Sequence, residues 1–224
     1  MEPVTVWWAS LADAPLAPGA LLDPVERARR ERYLHAEDRE RFTLGVVMTR
    51  TALAPLLGVA PERVPLDRSC ADCGKPHGAP RVEGGPRVSV SHSGDRVAVA
   101  VSVHGPVGVD VEAASGRLTA DIGSHLLAAG EAAADEAALL AYWTRKEALT
   151  KATGEGLREP FTRLRVSGPD EPPALLAWDG RPGLADRFAM RALDPGPGHV
   201  ACLAMLDHPA GVEVAERAYA PLPR

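Results

Sequence analysis

VSVSHSGDRVAVAVSV, residues 88–103, alternates valine or alanine with other residues on both sides of Ser93-Gly94-Asp95. A period of two puts successive side chains on opposite faces of a strand, and the Ser-Gly-Asp centre is a hairpin signal. The stretch therefore predicts two antiparallel strands within a sheet. After a further turn at Gly105-Pro106, VGVDVE (107–112) alternates again: Val107, Val109 and Val111 share one face, and Gly108, Asp110 and Glu112 share the other.

Upstream, Val4–Trp8 reads as a first strand, followed by a helix that Asp23 caps with Pro24 at its first position. A second helix is expected over Ala36–Leu57, stopped by Gly58. The loop from Ala60 to Gly85, dense in Pro, Gly and Cys, is long enough to carry function. Downstream, a short helix is expected between Thr119 and Ala129 and a long one over Glu131–Thr153, ended by Gly154. FTRLRV, ALLAWDG, RFAMRAL and GHVACLAML then read as four short strands. The pattern predicts an α+β protein of two similar halves, 1–105 and 106–224, each an antiparallel sheet packed on helices.

The 224 residues, 46% hydrophobic and 25% charged, have the balance of an ordinary globular protein. A net charge of -5 argues against a general nucleic-acid coat. No run approaches the 18 or so apolar residues of a membrane span. MEPVTVWWAS has an acid where a signal peptide needs cations, so a cytoplasmic chain is expected. Three cysteines are too few for a disulfide scaffold. Of the 25 Lys plus Arg, only Lys75, Lys146 and Lys151 are lysines, and two of these fall in WTRKEALTK, 143–151. Codon bias accounts for an arginine excess, but not for where the ammonium groups survive.

Several residue groups are capable of chemistry. Asp110 and Glu112, at i and i+2 on one strand face, repel each other unless something positive sits between them; a hard divalent cation fits, and so does a solvated polar edge. Trp143, Glu147 and Lys151, spaced by four, form one helix stripe, on which Glu147 and Lys151 make either an ion pair or part of an anion site. His92, at the hairpin turn, either donates to a phosphate or caps the turn. The arginines from Arg27 to Arg32, with Arg41, form either a solvated face or a phosphate contact. Cys70, Cys73 and His77 in CADCGKPHG (70–78) are zinc-type ligands with no fourth by spacing, which reads as a ligand-free turn. Neither a P-loop nor a Rossmann glycine fingerprint occurs. The inventory of three acids, one or two lysines and further cations suits a diphosphate with bound Mg²⁺.

At these residues the sequence resembles the 4′-phosphopantetheinyl transferases of the large, two-half type. The resemblance rests on HGAP at 77–80, VSVSHSG at 88–94, VGVDVE at 107–112 and WTRKEALTKATGEGL at 143–157, with a further likeness in RERYLHAEDRERFTLG, 30–45. It implies Mg-dependent transfer of the phosphopantetheine arm of coenzyme A to a serine of acyl or peptidyl carrier proteins, as in polyketide and nonribosomal peptide biosynthesis, with release of adenosine 3′,5′-bisphosphate. It further implies a monomer whose halves are related by an approximate twofold, with coenzyme A in the cleft between them.

Carried over residue by residue, Asp110, Glu112 and Glu147 would hold the metal, Asp110 and Lys151 would lie at the phosphates, and Glu147 and Lys151 would be catalytic. Glu147 is the expected general base, with Glu112 as the rival. Arg29, Arg41, Ser91 and His92 would reach the nucleotide's 3′-phosphate region, with Lys75, His77 and Gly78 also on the nucleotide. Where the family's G-x-P turn often carries a base stands Ala79, for which Lys75 is the candidate substitute; Glu26 stands where relatives have a lysine. Trp143 is expected to be a packing anchor, and Lys146 a supporting or carrier-side charge. Arg117, Leu118 and His125 are expected to belong to the carrier surface. A Mg²⁺-dependent nucleotide pyrophosphohydrolase and an inactive carrier-binding module are the competing functions.

Overall fold

The computed structural model describes residues 1–16, 19–70, 72–115 and 120–220 of the chain. It is α+β and divides into two units, one of residues 1–103 with 213–224, the other of residues 104–212.

The first unit holds strand β1 (Val4–Ser10), helices α1 (Pro24–Arg30) and α2 (Ala36–Leu57), the hairpin β2 (Arg87–Ser93) and β3 (Arg96–Ser102), and the last strand of the chain (Val214–Ala218). Asp23 caps α1 as its sequence predicts. Its carboxylate accepts the Glu26 N–H at 2.7 Å while Glu26 returns a bond to the Asp23 N–H at 3.0 Å, a reciprocal box that satisfies two otherwise orphaned donors. The hairpin forms around Gly94-Asp95, with Ser93 opposite Arg96. Leu44, Val47 and Met48 of α2 pack with Val97, Val99 and Val101 of β3 into one buried cluster.

In the second unit, β4 (Val107–Ala113) is followed by α3 (Ala120–Leu126), α4 (Glu136–Thr153), β5 (Leu164–Val166), β6 (Leu175–Trp178), β7 (Phe188–Leu193) and β8 (His199–Leu206), so that the last strand of the chain is β9. The antiparallel sheet β4-β8-β7 carries α4 on its face, and β5-β6 is a separate antiparallel pair.

Three expectations are corrected. The first sheet, in the order β2-β3-β1-β9, is mixed rather than antiparallel, because β9 lies parallel to β1 with Val4 opposite Val214 and Trp8 opposite Ala218. That pairing, extended by the Tyr219 N–H to the Trp8 carbonyl at 2.7 Å, assigns 213–224 to the first unit, whereas the second half was expected to run to 224. Finally, α4 begins at Glu136 rather than Glu131. Asp135 caps it by accepting the Ala138 N–H at 2.9 Å, while the Glu131 carboxylate is occupied elsewhere. Among the described residues, no helix is long and apolar enough to cross a membrane.

Candidate active site

The strand motif VGVDVE and the helix motif WTRKEALTK of the second unit meet because Gly108 has no side chain. A Cβ there would lie 1.9 Å from the Ala148 carbonyl oxygen and 2.5 Å from the Ala152 nitrogen of α4. Strand β4 therefore lies directly against the helix backbone, and the face that carries Gly108, Asp110 and Glu112 is turned toward α4. Asp110 is 2% exposed. Its Oδ1 accepts from Lys151 Nζ at 2.7 Å, and the same ammonium donates to the Val109 carbonyl at 3.2 Å. Glu147, one turn before Lys151, has its Oε2 3.9 Å from Nζ. Glu112, at the half-buried end of the strand, lies close enough for its charge to act on Glu147. The solvated polar edge that spacing alone allowed for Asp110 is excluded by its burial.

Burial pushes the Glu147 carboxyl up to about 7; the Lys151 ammonium opposes this, and the negative charges of Asp110 and Glu112 add to it. Three carboxylates and one ammonium thus share a small, partly desolvated region, an arrangement that favours a bound cation and a group titrating near neutrality. Directly opposite Asp110 in the ladder stands Cys202, whose thiol burial raises to about 12, so it stays protonated and offers neither a nucleophile nor a soft ligand.

The raised Glu147 carboxyl sets a pH dependence. The folded protein holds the proton more tightly than the unfolded chain does, so stability is fullest below the ordinary carboxylate value of 4.5 and is lost as pH rises toward and through about 7. In chelator, Glu147→Gln is expected to remove this loss and to be more stable than the parent at pH 8 by on the order of 3 kcal/mol, with little difference at pH 4. Urea titrations of both proteins across that range measure it; parallel stability curves would contradict it.

The rest of WTRKEALTK holds the helix in place. Trp143 packs edge-on against Phe161 at 5.4 Å, as an anchor should. Arg145 is buried and donates to the carbonyls of Ser167, Gly168, Pro169 and Glu171, pinning the segment after β5. Lys146 is fully buried and donates to the carbonyls of Leu126 and Phe161 and to Glu131. It is therefore not a carrier-side charge. Glu131 is the residue that sequence reasoning missed here, because its role is to meet a lysine fifteen positions away.

In the first unit, the expected phosphate residues gather around Phe42 and the hairpin. Arg41 donates from Nε to the Gly94 carbonyl at 2.7 Å and is flanked by Asp38 at 2.6 Å and Glu37 at 3.2 Å. It thus ties the start of α2 to the turn that follows Ser91 and His92. Ser91 is buried and His92 exposed. The Arg29 guanidinium stands 5.3 Å over the Phe42 ring, and its Nη1 is buried with no hydrogen-bond partner among the described residues. Arg68, which the sequence reading did not single out, approaches the same ring at 5.9 Å. Its pKa is lowered by burial, opposed by the Glu26 charge and reinforced by Arg29. No periodicity marks it, since it sits in the irregular loop after α2. Glu26 is 2% exposed and pairs with Arg50 at 2.8 Å and Arg68 at 3.5 Å, a structural anion rather than a ligand contact. The Gly78 N–H donates to the Arg68 carbonyl at 2.8 Å, which brings the 77–80 turn to this basic cluster. Lys75 and His77 are exposed in the same loop.

One further feature of the second unit is a largely apolar pocket of about 350 Å³, lined among others by Ile122, His125, Trp143, Leu157 and Phe161. Because Trp143 is one turn before Glu147, the pocket borders the helical stripe that carries Glu147. His125 lines it, while Arg117 and Leu118 lie outside the described residues.

Comparison with known proteins converges on one family. A profile described as the 4′-phosphopantetheinyl transferase superfamily matches residues 106–202, the span from β4 into β8. The chain is 34% identical over 174 residues to the 4′-phosphopantetheinyl transferase HetI of Nostoc sp., covering 71% of this chain and 72% of that protein. It is 32% identical over 168 residues, 70% of this chain and 68% of the relative, to a Synechocystis sp. protein provisionally named as such a transferase. A 4′-phosphopantetheinyl transferase of Bacillus subtilis is 27% identical over 175 residues, 71% and 75% of the two chains. This chain belongs to the 4′-phosphopantetheinyl transferase superfamily and is an enzyme of that family.

Proposed function

We propose that the protein transfers the 4′-phosphopantetheine group of coenzyme A to a serine of acyl or peptidyl carrier proteins, releases adenosine 3′,5′-bisphosphate, and acts as a Mg-dependent cytoplasmic monomer. The convergence of Asp110 and Glu112 on β4 with Glu147 and Lys151 on α4 carries the reading. The two-half form is supported by a long helix laid on antiparallel strands in each unit, α2 on β2-β3 and α4 on β4-β8.

The residues fit Mg²⁺: the donors are hard carboxylate oxygens, and their mutual repulsion, felt at Glu147, is what a divalent cation relieves. Asp110, Glu112 and Glu147 would hold it, leaving positions for diphosphate oxygens and water. When bound, the ion withdraws charge from the diphosphate. Lys151, a compact point charge, neutralises charge that builds on the departing bisphosphate. Glu147, as the proposed base, takes the proton of the carrier serine as the serine Oγ bonds to the β-phosphorus and the bridging P–O bond breaks. Arg29, Arg41, Ser91 and His92 are assigned to the 3′-phosphate region, with Arg68 added to them. Lys75, His77 and Gly78 are assigned to the nucleotide.

Incubation with coenzyme A, Mg²⁺ and an apo carrier protein tests the reading: the carrier gains the phosphopantetheine mass. Bisphosphate release without a mass gain would establish hydrolysis instead, and carrier binding without either product would establish a binding module. Glu147→Gln is expected to lower turnover by ~10²–10⁴-fold; near-normal turnover at saturating Mg²⁺ would move the base to Glu112. The apolar pocket beside Trp143 is assigned to the carrier. Leu157, 73% exposed at its rim, is expected on replacement by Asp to raise the carrier KM about tenfold, corresponding to the loss of one contact residue, with the coenzyme A KM unchanged.

A further inference from the structure

The loop after α2 contains a second cluster, in which Cys70 and Cys73, which the transferase reading leaves unused, meet His77, which it assigns to the nucleotide. A backbone bridge closes its base, with N–H···O bonds of 2.9 Å in both directions between Asp67 and Arg81. Within the loop, ligand atoms of Cys70, Cys73 and His77 all lie within 4.8 Å of one another, and Cys73 Sγ stands 3.0 Å from His77 Nε2. The turn is wound around the first cysteine. The Cys70 thiol donates to the Asp72 carboxylate at 3.9 Å. The Gly74 N–H donates to the Cys70 carbonyl at 2.9 Å and the Cys70 N–H to that of Lys75 at 2.8 Å. Gly74 sits at φ +69°, where a side chain would be strained.

We propose that Cys70, Cys73 and His77 bind a zinc ion. Sequence spacing favoured a ligand-free turn because no fourth ligand is in reach; the structure changes that reading by bringing all three atoms together on a preformed turn. Two thiolates and an imidazole select a borderline-soft cation over Mg²⁺ or Ca²⁺. The ligands are exposed or half-buried, so the ion enters from solvent, and a tetrahedral centre keeps one position for water or an anion. Its effect is to fasten Cys70 and Cys73 to His77, and through Gly78 to the Arg68 backbone. With His77 taken as a ligand, the nucleotide contact of this loop in the transferase reading falls to Lys75 and Gly78.

The test is titration of the reduced, full-length protein with Co²⁺ under anaerobic conditions, followed by displacement with Zn²⁺. One equivalent is expected to give the visible bands of tetrahedral Co²⁺ with thiolate-to-metal charge transfer, and one equivalent of Zn²⁺ to abolish them. Cys70→Ser and Cys73→Ser are each expected to lose charge-transfer intensity and to weaken binding by at least the ~10–100-fold that supporting residues alone contribute. Unchanged circular dichroism in chelator would show that both variants are folded. Absence of charge transfer at one equivalent, or bands that survive both folded variants, would overturn the proposal.

Discussion

Replacing Lys146 with methionine is expected to cost about 3–5 kcal/mol of stability, a large part of the 5–15 kcal/mol that a domain typically has. The side chain is fully buried, and its ammonium meets the Leu126 carbonyl at 2.7 Å, the Phe161 carbonyl at 3.1 Å and the Glu131 carboxylate. Burial lowers the Lys146 pKa, and the bond to Glu131 opposes the shift. Glu131 is equally enclosed and also accepts the N–H groups of Ala128 and Val166, both at 2.7 Å. Removing the ammonium therefore strands a buried carboxylate at the point where the end of α3, the middle of α4 and β5 are joined. Lys146→Met combined with Glu131→Gln removes both charges, so it is expected to lose less than Lys146→Met alone. Urea midpoints of the parent and both variants measure this. A single variant within 1 kcal/mol of the parent, but with a raised carrier KM, would instead return Lys146 to the role of a surface charge.

Lys151→Ala is expected to lower the rate of carrier modification by ~10²–10³-fold, the usual effect of removing one preorganised group that stabilises transition-state charge. Lys151 is a quarter exposed, so unlike Lys146 it reaches solvent while still holding Asp110 at 2.7 Å. The loss should fall mainly on kcat, because in the proposed transfer the charge that Lys151 meets grows as the bisphosphate departs. Lys151→Arg is expected to recover only part, since a planar fork does not reproduce a point charge shared between a carboxylate and a backbone carbonyl. Single-turnover rates at saturating coenzyme A and Mg²⁺ measure both variants. An increase confined to the coenzyme A KM would assign Lys151 to ground-state binding.

The contrast between these lysines marks what sequence patterning conveys. Two of the three lysines stand five residues apart on α4. One is enclosed at a junction of three elements and the other faces the carboxylates. Helical spacing puts Lys151 on the Trp143–Glu147 stripe, but it does not say that Lys146 has a buried anion waiting for it, because Glu131 arrives from a turn before the helix. The same limit applies to Arg68, which joins Arg29 over Phe42 from a loop without periodicity.

By itself, the sequence determined the local elements and the residues that share a face. It marked the hairpin at 94–95, the capped start of α1, the glycine ends of α2 and α4, and the common face of Gly108, Asp110 and Glu112. These follow from periods of 2 and 3.6 and from turn chemistry, all of which act over a few residues. Only the tertiary structure decided that β9 returns to lie parallel to β1 and that Asp110 is buried against Lys151 rather than solvated. The same holds for the separation of the two lysines into structural and site groups, and for the convergence of Cys70, Cys73 and His77 on one turn. Each depends on contacts set by packing, above all the close approach of β4 to α4 at Gly108, where the absence of one carbon lets a strand face become a site.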